Sequence, residues 1–254
     1  MIDTHCHLYL KDFSEDRVEV HKRAILAGVK RLYLPAIDST HLGEMISLES
    51  EFPGIYFSMA GLHPCSVNKN YRQELDIIVE QLKKRSFIAI GEAGLDFYWD
   101  LTYKEEQYEA LEFQAELALQ YGIPLVLHTR NATRETIEVM KKFALRGLRG
   151  VFHCFGGSRE EAEAIMNMGF MMGIGGVVTY KNAGLDKLIA QIGLSHVVLE
   201  TDAPYLTPAP HRGKRNESCY LKLIADKIAE VTGRTFDEVD RITTANAEAL
   251  FGRQ

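Results

Sequence analysis

Two histidines one residue apart, His5 and His7, open the chain inside Asp3-Thr4-His5-Cys6-His7, and further groups of metal-binding type recur at wide intervals: Glu92, His128, His153 and Asp202. On an extended segment, residues two apart project from one face, so both imidazoles could grip a single cation. Nitrogen and carboxylate oxygen without thiolate suit Zn, Mn, Fe or Ni, with Mg admissible where histidine ligation is partial. A catalytic zinc takes about three protein ligands, so the larger set implies two divalent metal ions. Glu92, entering midway round the set, could bridge them. One site would then be His5, His7, Glu92 and Asp202, the other Glu92, His128 and His153. Two such ions could activate a water and clamp both the attacking and the leaving oxygen of a phosphoryl transfer. Asp202 is the best candidate to take that water's proton.

Several other residues fall beside these ligands. His63, in Gly61-Leu62-His63-Pro64, reads as a contact to substrate or leaving group and joins Glu92 and Asp202 as a catalytic candidate. Glu200, two residues before Asp202, should face the same way and could orient a ligand histidine by accepting its other ring proton. Asp96 could do the same or could cap a loop. The run Pro210 to Asn216 concentrates Arg212, Lys214 and Arg215 in an otherwise acidic chain, and with Arg130 it reads as a phosphate clamp. Trp99, beside Phe97 and Tyr98, could stack a base or simply close a loop over the core. Gly173-Ile174-Gly175-Gly176 lacks the GxGxxG spacing and falls inside an apolar run, so it reads as close packing within a strand.

Elements that would position these groups are visible as apolar, β-branched runs alternating with longer amphipathic stretches. The strand candidates are Ile2 to His7, Arg31 to Ile37, Ile55 to Leu62, Phe87 to Gly91, Pro124 to His128, Gly150 to His153, Phe170 to Val178 and His196 to Glu200. Helix candidates include Asp16 to Ala27, Gln73 to Lys84, Lys104 to Tyr121, Thr133 to Leu145, Ser158 to Met168, Tyr220 to Val231 and Phe236 to Phe251, with another starting at Ser39 or Thr40 and running to Glu49. Ser158 with Glu161 forms a capping box, and Tyr121-Gly122-Ile123-Pro124 stops one helix and starts a strand. Such a series suits an open doubly wound sheet or a closed (β/α)8 barrel. The candidate ligands decide for the barrel, because all sit at strand carboxyl ends, which converge on one mouth only when the sheet closes.

Bulk properties agree. A chain of 254 residues has the length of one such barrel, 1–254 as a single α/β domain, and needs no structural metal to bury a core. Its net charge of −6 disfavours a broad nucleic-acid-coating surface while allowing a local basic patch. The start carries no signal-like segment and no long apolar run follows, so a cytoplasmic protein with no membrane association is expected. Cys6, Cys65, Cys154 and Cys219 are widely spaced and read as free thiols; a strand reading turns Cys6 and Cys154 away from their neighbouring histidines.

Taken in order, Asp3-Thr4-His5-Cys6-His7, Gly61-Leu62-His63-Pro64, Gly91-Glu92-Ala93-Gly94-Leu95-Asp96, His128-Thr129-Arg130, His153-Cys154-Phe155-Gly156-Gly157-Ser158 and Glu200-Thr201-Asp202-Ala203-Pro204-Tyr205-Leu206 resemble the TatD family of metal-dependent deoxyribonucleases. The resemblance runs end to end, through Arg212-Gly213-Lys214-Arg215-Asn216 and Thr244-Ala245-Asn246-Ala247. It departs at Thr129, where the family often has Ser, and at Ser218, where Pro is common. It implies a distorted TIM barrel similar to the amidohydrolases and metal binding by His5, His7, Glu92, His128, His153 and Asp202. It also implies 3′ to 5′ exonuclease action on DNA, or deacylation of D-aminoacyl-tRNA on the same metals. No obligate protein partner is implied.

Overall fold

The alternating runs become eight parallel strands and their covering helices in the computed structural model, which describes residues 1–252. The strands are β1 (Ile2–Asp3), β2 (Arg31–Leu34), β3 (Tyr56–Ser58), β4 (Ile90–Asp96), β5 (Leu125–Arg130), β6 (Gly150–Phe152), β7 (Met171–Ile174) and β8 (Val197–Leu199). The helices are α1 (Arg17–Leu26), α2 (Leu42–Glu51), α3 (Tyr71–Lys84), α4 (Lys104–Tyr121), α5 (Thr133–Ala144), α6 (Arg159–Asn167), α7 (Leu185–Ile192), α8 (Leu221–Thr232) and α9 (Phe236–Phe251). Residues 253 and 254 of the expected domain lie outside the described part.

Continuous ladders join β1 to β3 and β4 to β8. Two thinner seams close the ring. At the first, Ala60 bridges to Ile90, and Gly91 N–H donates to Ala60 O at 2.9 Å. At the second, Thr4 N–H donates to Leu199 O at 3.0 Å. The result is a barrel with short, irregular strands, in which most of the residues expected in β1 and β3 continue extended beyond the ladder. Inside it, Ile2, Tyr33, Met59, Val126, Val151 and Val198 pack together and against Ala247 and Phe251 of α9. That helix covers the amino-terminal end of the strands, with the Phe251 and Tyr33 rings 4.8 Å apart. The polar groups gather at the opposite end.

Three elements depart from the sequence reading. β4 begins later and runs further than Phe87 to Gly91, taking in Glu92 and Asp96 within a fully buried strand. β7 stops at Ile174, and Gly176–Thr179 forms a 3-10 turn that packs so closely on the following loop that a Cβ on Gly176 would lie 2.1 Å from Leu206 O. α7, bounded by Gly184 and Gly193, has no counterpart among the named candidates. Elsewhere the boundary chemistry holds: Ser158 and Glu161 form a reciprocal capping box, and Gly122 ends α4 in the left-handed conformation at φ 65°.

Candidate metal centre

His5 and His7 lie just past β1 on a segment pinned from both sides. Cys6 N–H donates to Tyr33 O at 3.1 Å, and His7 N–H donates to Ala203 O at 2.7 Å. This alternation buries the Cys6 thiol in the apolar layer and turns both imidazoles inward, their Nε2 atoms 3.3 Å apart. Glu92 reaches the same point from β4, at an irregularity in the β4–β5 register between Ile90 and Ala93 that includes a cis peptide at Gly91–Glu92. Its strand can press so closely on β5 because Gly94 has no side chain, and a Cβ there would lie 2.0 Å from His128 O.

Each oxygen of Glu92 faces a different group of nitrogens. Oε2 lies 3.1 Å from His5 Nε2 and 3.6 Å from His7 Nε2, and both rings also approach Asp202 Oδ1, at 3.7 and 3.6 Å. Oε1 lies 2.8 Å from His128 Nδ1, 2.9 Å from His153 Nε2 and 3.3 Å from His63 Nε2. Burial alone would raise the pKa of Glu92, but His153, His63 and His5 outweigh it and hold the carboxyl well below its usual range. Asp202, likewise buried, is lowered by His7 and by the charges of His153 and His5.

The outward nitrogens show which way each ring presents its lone pair. Tyr9 hydroxyl donates to Pro35 O at 2.7 Å, so it can only accept from His7 Nδ1–H at 2.9 Å. That leaves His7 Nε2 as a lone pair toward Asp202 and Glu92. His128 sits between two carboxylates, Nε2 2.9 Å from Asp96 Oδ2 and Nδ1 2.8 Å from Glu92 Oε1, and they outweigh burial to raise its pKa; with Nε2–H committed to Asp96, Nδ1 is the nitrogen that a cation would take in place of a proton. His63 is arranged the other way: its Nδ1 accepts from Cys65 N–H at 3.0 Å, and burial lowers its pKa toward the neutral ring, so Nε2 carries the proton. His153 Nδ1 lies 3.5 Å from Glu200 Oε1, which accepts the Cys154 N–H.

Crowding of this kind suits cations. Ring nitrogens of His5, His7, His128 and His153 converge on carboxylate oxygens, and no lysine or arginine among the described residues pairs with Glu92, Asp202, Asp96 or Glu200. Overlapping triads of His5, His7 and Glu92, of His5, His153 and Asp202, and of His63, Glu92 and His128 have the spacing of metal ligands. These His, Glu and Asp clusters suggest a binuclear site. The residues present therefore fit two divalent ions.

Around the cluster, Asp96 takes both roles left open for it: Oδ2 receives His128, while Oδ1 accepts the N–H groups of Tyr98 and Trp99 at 2.9 and 3.1 Å. Glu200 fits beside His153 only because residue 173 is glycine, where a Cβ would come 2.0 Å from Glu200 Oε2. Cys154 leaves the strand alternation at φ 50°, and its thiol sits within the influence of Asp202, Glu200 and Glu92 instead of turning to the helices. Burial and those carboxylates push it well above its normal pKa, so it is a neutral thiol. Tyr9 and Asp3 were not among the candidates. Asp3 accepts from Thr201 N–H at 3.0 Å and Thr201 Oγ1 at 2.7 Å, tying the His5 segment to the turn that carries Asp202. Their only sequence signal was position, two residues after His7 and two before His5.

The basic residues divide. Arg130 is exposed, its guanidinium 3.9 Å from the Tyr98 ring centre. Arg212 is exposed over Tyr180 at 4.2 Å, and Lys214 is exposed. Arg215 is committed elsewhere: it binds Asp16 through both terminal nitrogens at 2.8 and 2.7 Å and Glu217 at 2.9 Å. Those acidic partners satisfy its fork, so the expected phosphate contact is withdrawn for Arg215. Asn216, buried beside it, donates to Thr201 O and Tyr205 O at 2.7 and 2.6 Å and fixes the loop behind Asp202. No helix among the described residues is long and apolar enough to cross a membrane.

Comparison with known proteins agrees with this geometry. A family model described as TatD related DNase matches residues 2–252. The uncharacterized metal-dependent hydrolase YabD of Bacillus subtilis strain 168 is 37% identical, over 99% of this chain and 98% of its own. The 3′-5′ ssDNA/RNA exonuclease TatD of Pantoea vagans is 34% identical, over 99% of each chain. The crystal structure of YjjV, a TatD homologue from Escherichia coli K12, superposes with a TM-score of 0.93 at 29% identity, covering 100% of this chain and 98% of its own. With two groups of candidate ligands meeting at Glu92 and the match running almost end to end, this chain belongs to the TatD-related DNase family.

Proposed function

We propose that this protein is a metal-dependent hydrolase that cleaves phosphodiester bonds of DNA as a 3′-5′ exonuclease. The carrying observation is Glu92, whose two oxygens face two separate sets of imidazoles. His5, His7 and Asp202 with Oε2 would hold one divalent ion, and His128 and His153 with Oε1 a second. When bound, such a pair lowers the pKa of water and neutralises charge on both the attacking and the leaving oxygen.

The protein's own groups supply the rest. Tyr9 and Asp96 fix His7 and His128 in the tautomers that present a lone pair inward, and Glu200 sits where it can do so for His153. Asp202, ionised and facing His5 and His7, is placed to accept a proton from the attacking water at its carboxylate. His63 Nε2–H, a donor with its other nitrogen already used, can donate a hydrogen bond to the leaving oxygen. Arg130, Arg212 and Lys214 offer exposed cations on this face for flanking phosphates, and the activity named for the Pantoea vagans relative supports the substrate class.

The test is release of mononucleotides from the 3′ end of labelled single-stranded DNA in Mg or Mn, with metal content measured on the same preparation. Loss of release in EDTA and in Asp202→Asn is expected. A metal-replete preparation that leaves the DNA intact while hydrolysing an aminoacyl ester would replace the phosphodiesterase reading with the acyl-hydrolase one.

A further inference from the structure

We infer that Trp99, with Tyr98 and Arg130, is a stacking platform for an unpaired nucleobase of the substrate strand. This deepens the reading of the protein as a DNA phosphodiesterase and rests on it.

The loop after β4 places its aromatic residues unequally. Phe97 is half-buried and packs against Tyr108, 6.0 Å between ring centres, and with Tyr103 it closes the loop over the core. Tyr98 and Trp99 do not take part: they are 52% and 68% exposed, set edge to face at 4.9 Å. Exposing two large rings side by side forgoes burial that a loop with no ligand would be expected to use. Asp96 accepts both their backbone N–H groups on one oxygen and His128 on the other, so the backbone that carries the rings is tied through one carboxylate to a candidate ligand.

The surroundings suit a base attached to a phosphate. Arg130 lies over the Tyr98 ring at 3.9 Å and over that of Trp99 at 5.2 Å, so one guanidinium serves both exposed rings. A small cavity opens between this loop and the turn after His63, lined by Pro64, Cys65, Asp96, Trp99 and Tyr103. An aromatic face with an adjacent guanidinium recognises the π-face common to all bases, with little preference for sequence. A base held this way must be out of the helical stack, which a single strand offers at little cost and a duplex does not.

Trp99 is the sole tryptophan in the chain, so intrinsic fluorescence reports on the platform directly. The probe is a single-stranded oligodeoxyadenylate with phosphorothioate linkages, compared with an abasic strand carrying the same linkages. Saturable quenching by the first and none by the second is expected. On labelled single-stranded DNA, Trp99→Ala should raise KM about tenfold with kcat within about twofold, and Trp99→Phe should restore KM, as loss and return of one stacked base predict. Equal quenching by both strands, or an unchanged KM in Trp99→Ala, overturns the inference. Hydrolysis of bis(4-nitrophenyl) phosphate by the unaltered protein reports separately on the phosphodiesterase reading. If that diester and DNA are both left intact, that reading fails, while quenching still decides whether the rings bind bases.

Discussion

The two flanks of Glu92 are built differently although they share a carboxylate. On the Oε2 flank the histidines are sealed, with side-chain exposures of 0% for His5 and 4% for His7, and His7 leans on a neutral phenol. On the Oε1 flank His153 is as buried as His7, at 4%, but His63 and His128 open toward solvent at 15% and 16%, and His128 and His153 face carboxylates behind them. A carboxylate behind an imidazole makes it a stronger ligand, while openness to water allows exchange and substrate entry. In the proposed function the sealed flank would retain an ion, and the open flank would hold one where substrate arrives.

The strongest way to break this division is to remove what both flanks share. Glu92→Gln should lower kcat/KM on single-stranded DNA by on the order of 1,000-fold and reduce bound metal from two equivalents, measured by elemental analysis. Asp202→Asn belongs to the sealed flank; it should cost on the order of 100-fold or more in kcat while the open flank keeps its ion. If both ions are lost together, the flanks are not separable. Asp96→Asn tests the carboxylate behind His128 and should weaken metal binding about 10- to 100-fold on the open flank. Tyr9→Phe, its counterpart behind His7, should cost less, about tenfold or under, because a neutral hydroxyl polarises the ring less. Reversal of that order would remove the electrostatic account of the difference.

The smallest effect concerns the basic loop. Arg215→Met should leave kcat/KM within about twofold yet lower Tm by about 1–3 °C, as expected for a partly exposed ion pair. Asp16, its partner, is held down to about 2 by Arg215 and Arg23. A depressed carboxylate stabilises the fold above its unfolded pKa of about 3.9, and that contribution disappears as pH falls toward 2. The Tm gap between Arg215→Met and the unaltered protein should therefore be present at pH 6 and shrink through that window. Arg212→Ala, by contrast, should raise KM for DNA with little change in Tm.

What could be read from the sequence followed physical range. Strand and helix positions depend on local periodicity, so α4 and α9 fall on their expected residues, and the ligand types announce themselves by chemistry. β4 was misplaced because Gly91-Glu92-Ala93-Gly94 resembles a turn; only the tight approach of β5 makes it a buried strand. The fate of Arg215 was hidden because its partner Asp16 lies 199 residues away. The division between the flanks was likewise beyond reach, since it depends on which ring nitrogen Tyr9, Asp96 or the Cys65 amide occupies.

The seam that joins the first strand to the last has a consequence for the order of events during folding. Thr4 meets Leu199 across 195 residues, and Asp3 meets Thr201 across 198. Loop closure over such a span is among the slowest contacts a chain of this size makes. His5 and His7 are separated from Asp202 by nearly the same span and meet it through the same long-range closure. On the proposed binuclear reading, the site that includes Asp202 would be complete only in a barrel that has already closed, so binding of the ion there would report that the first and last strands have met.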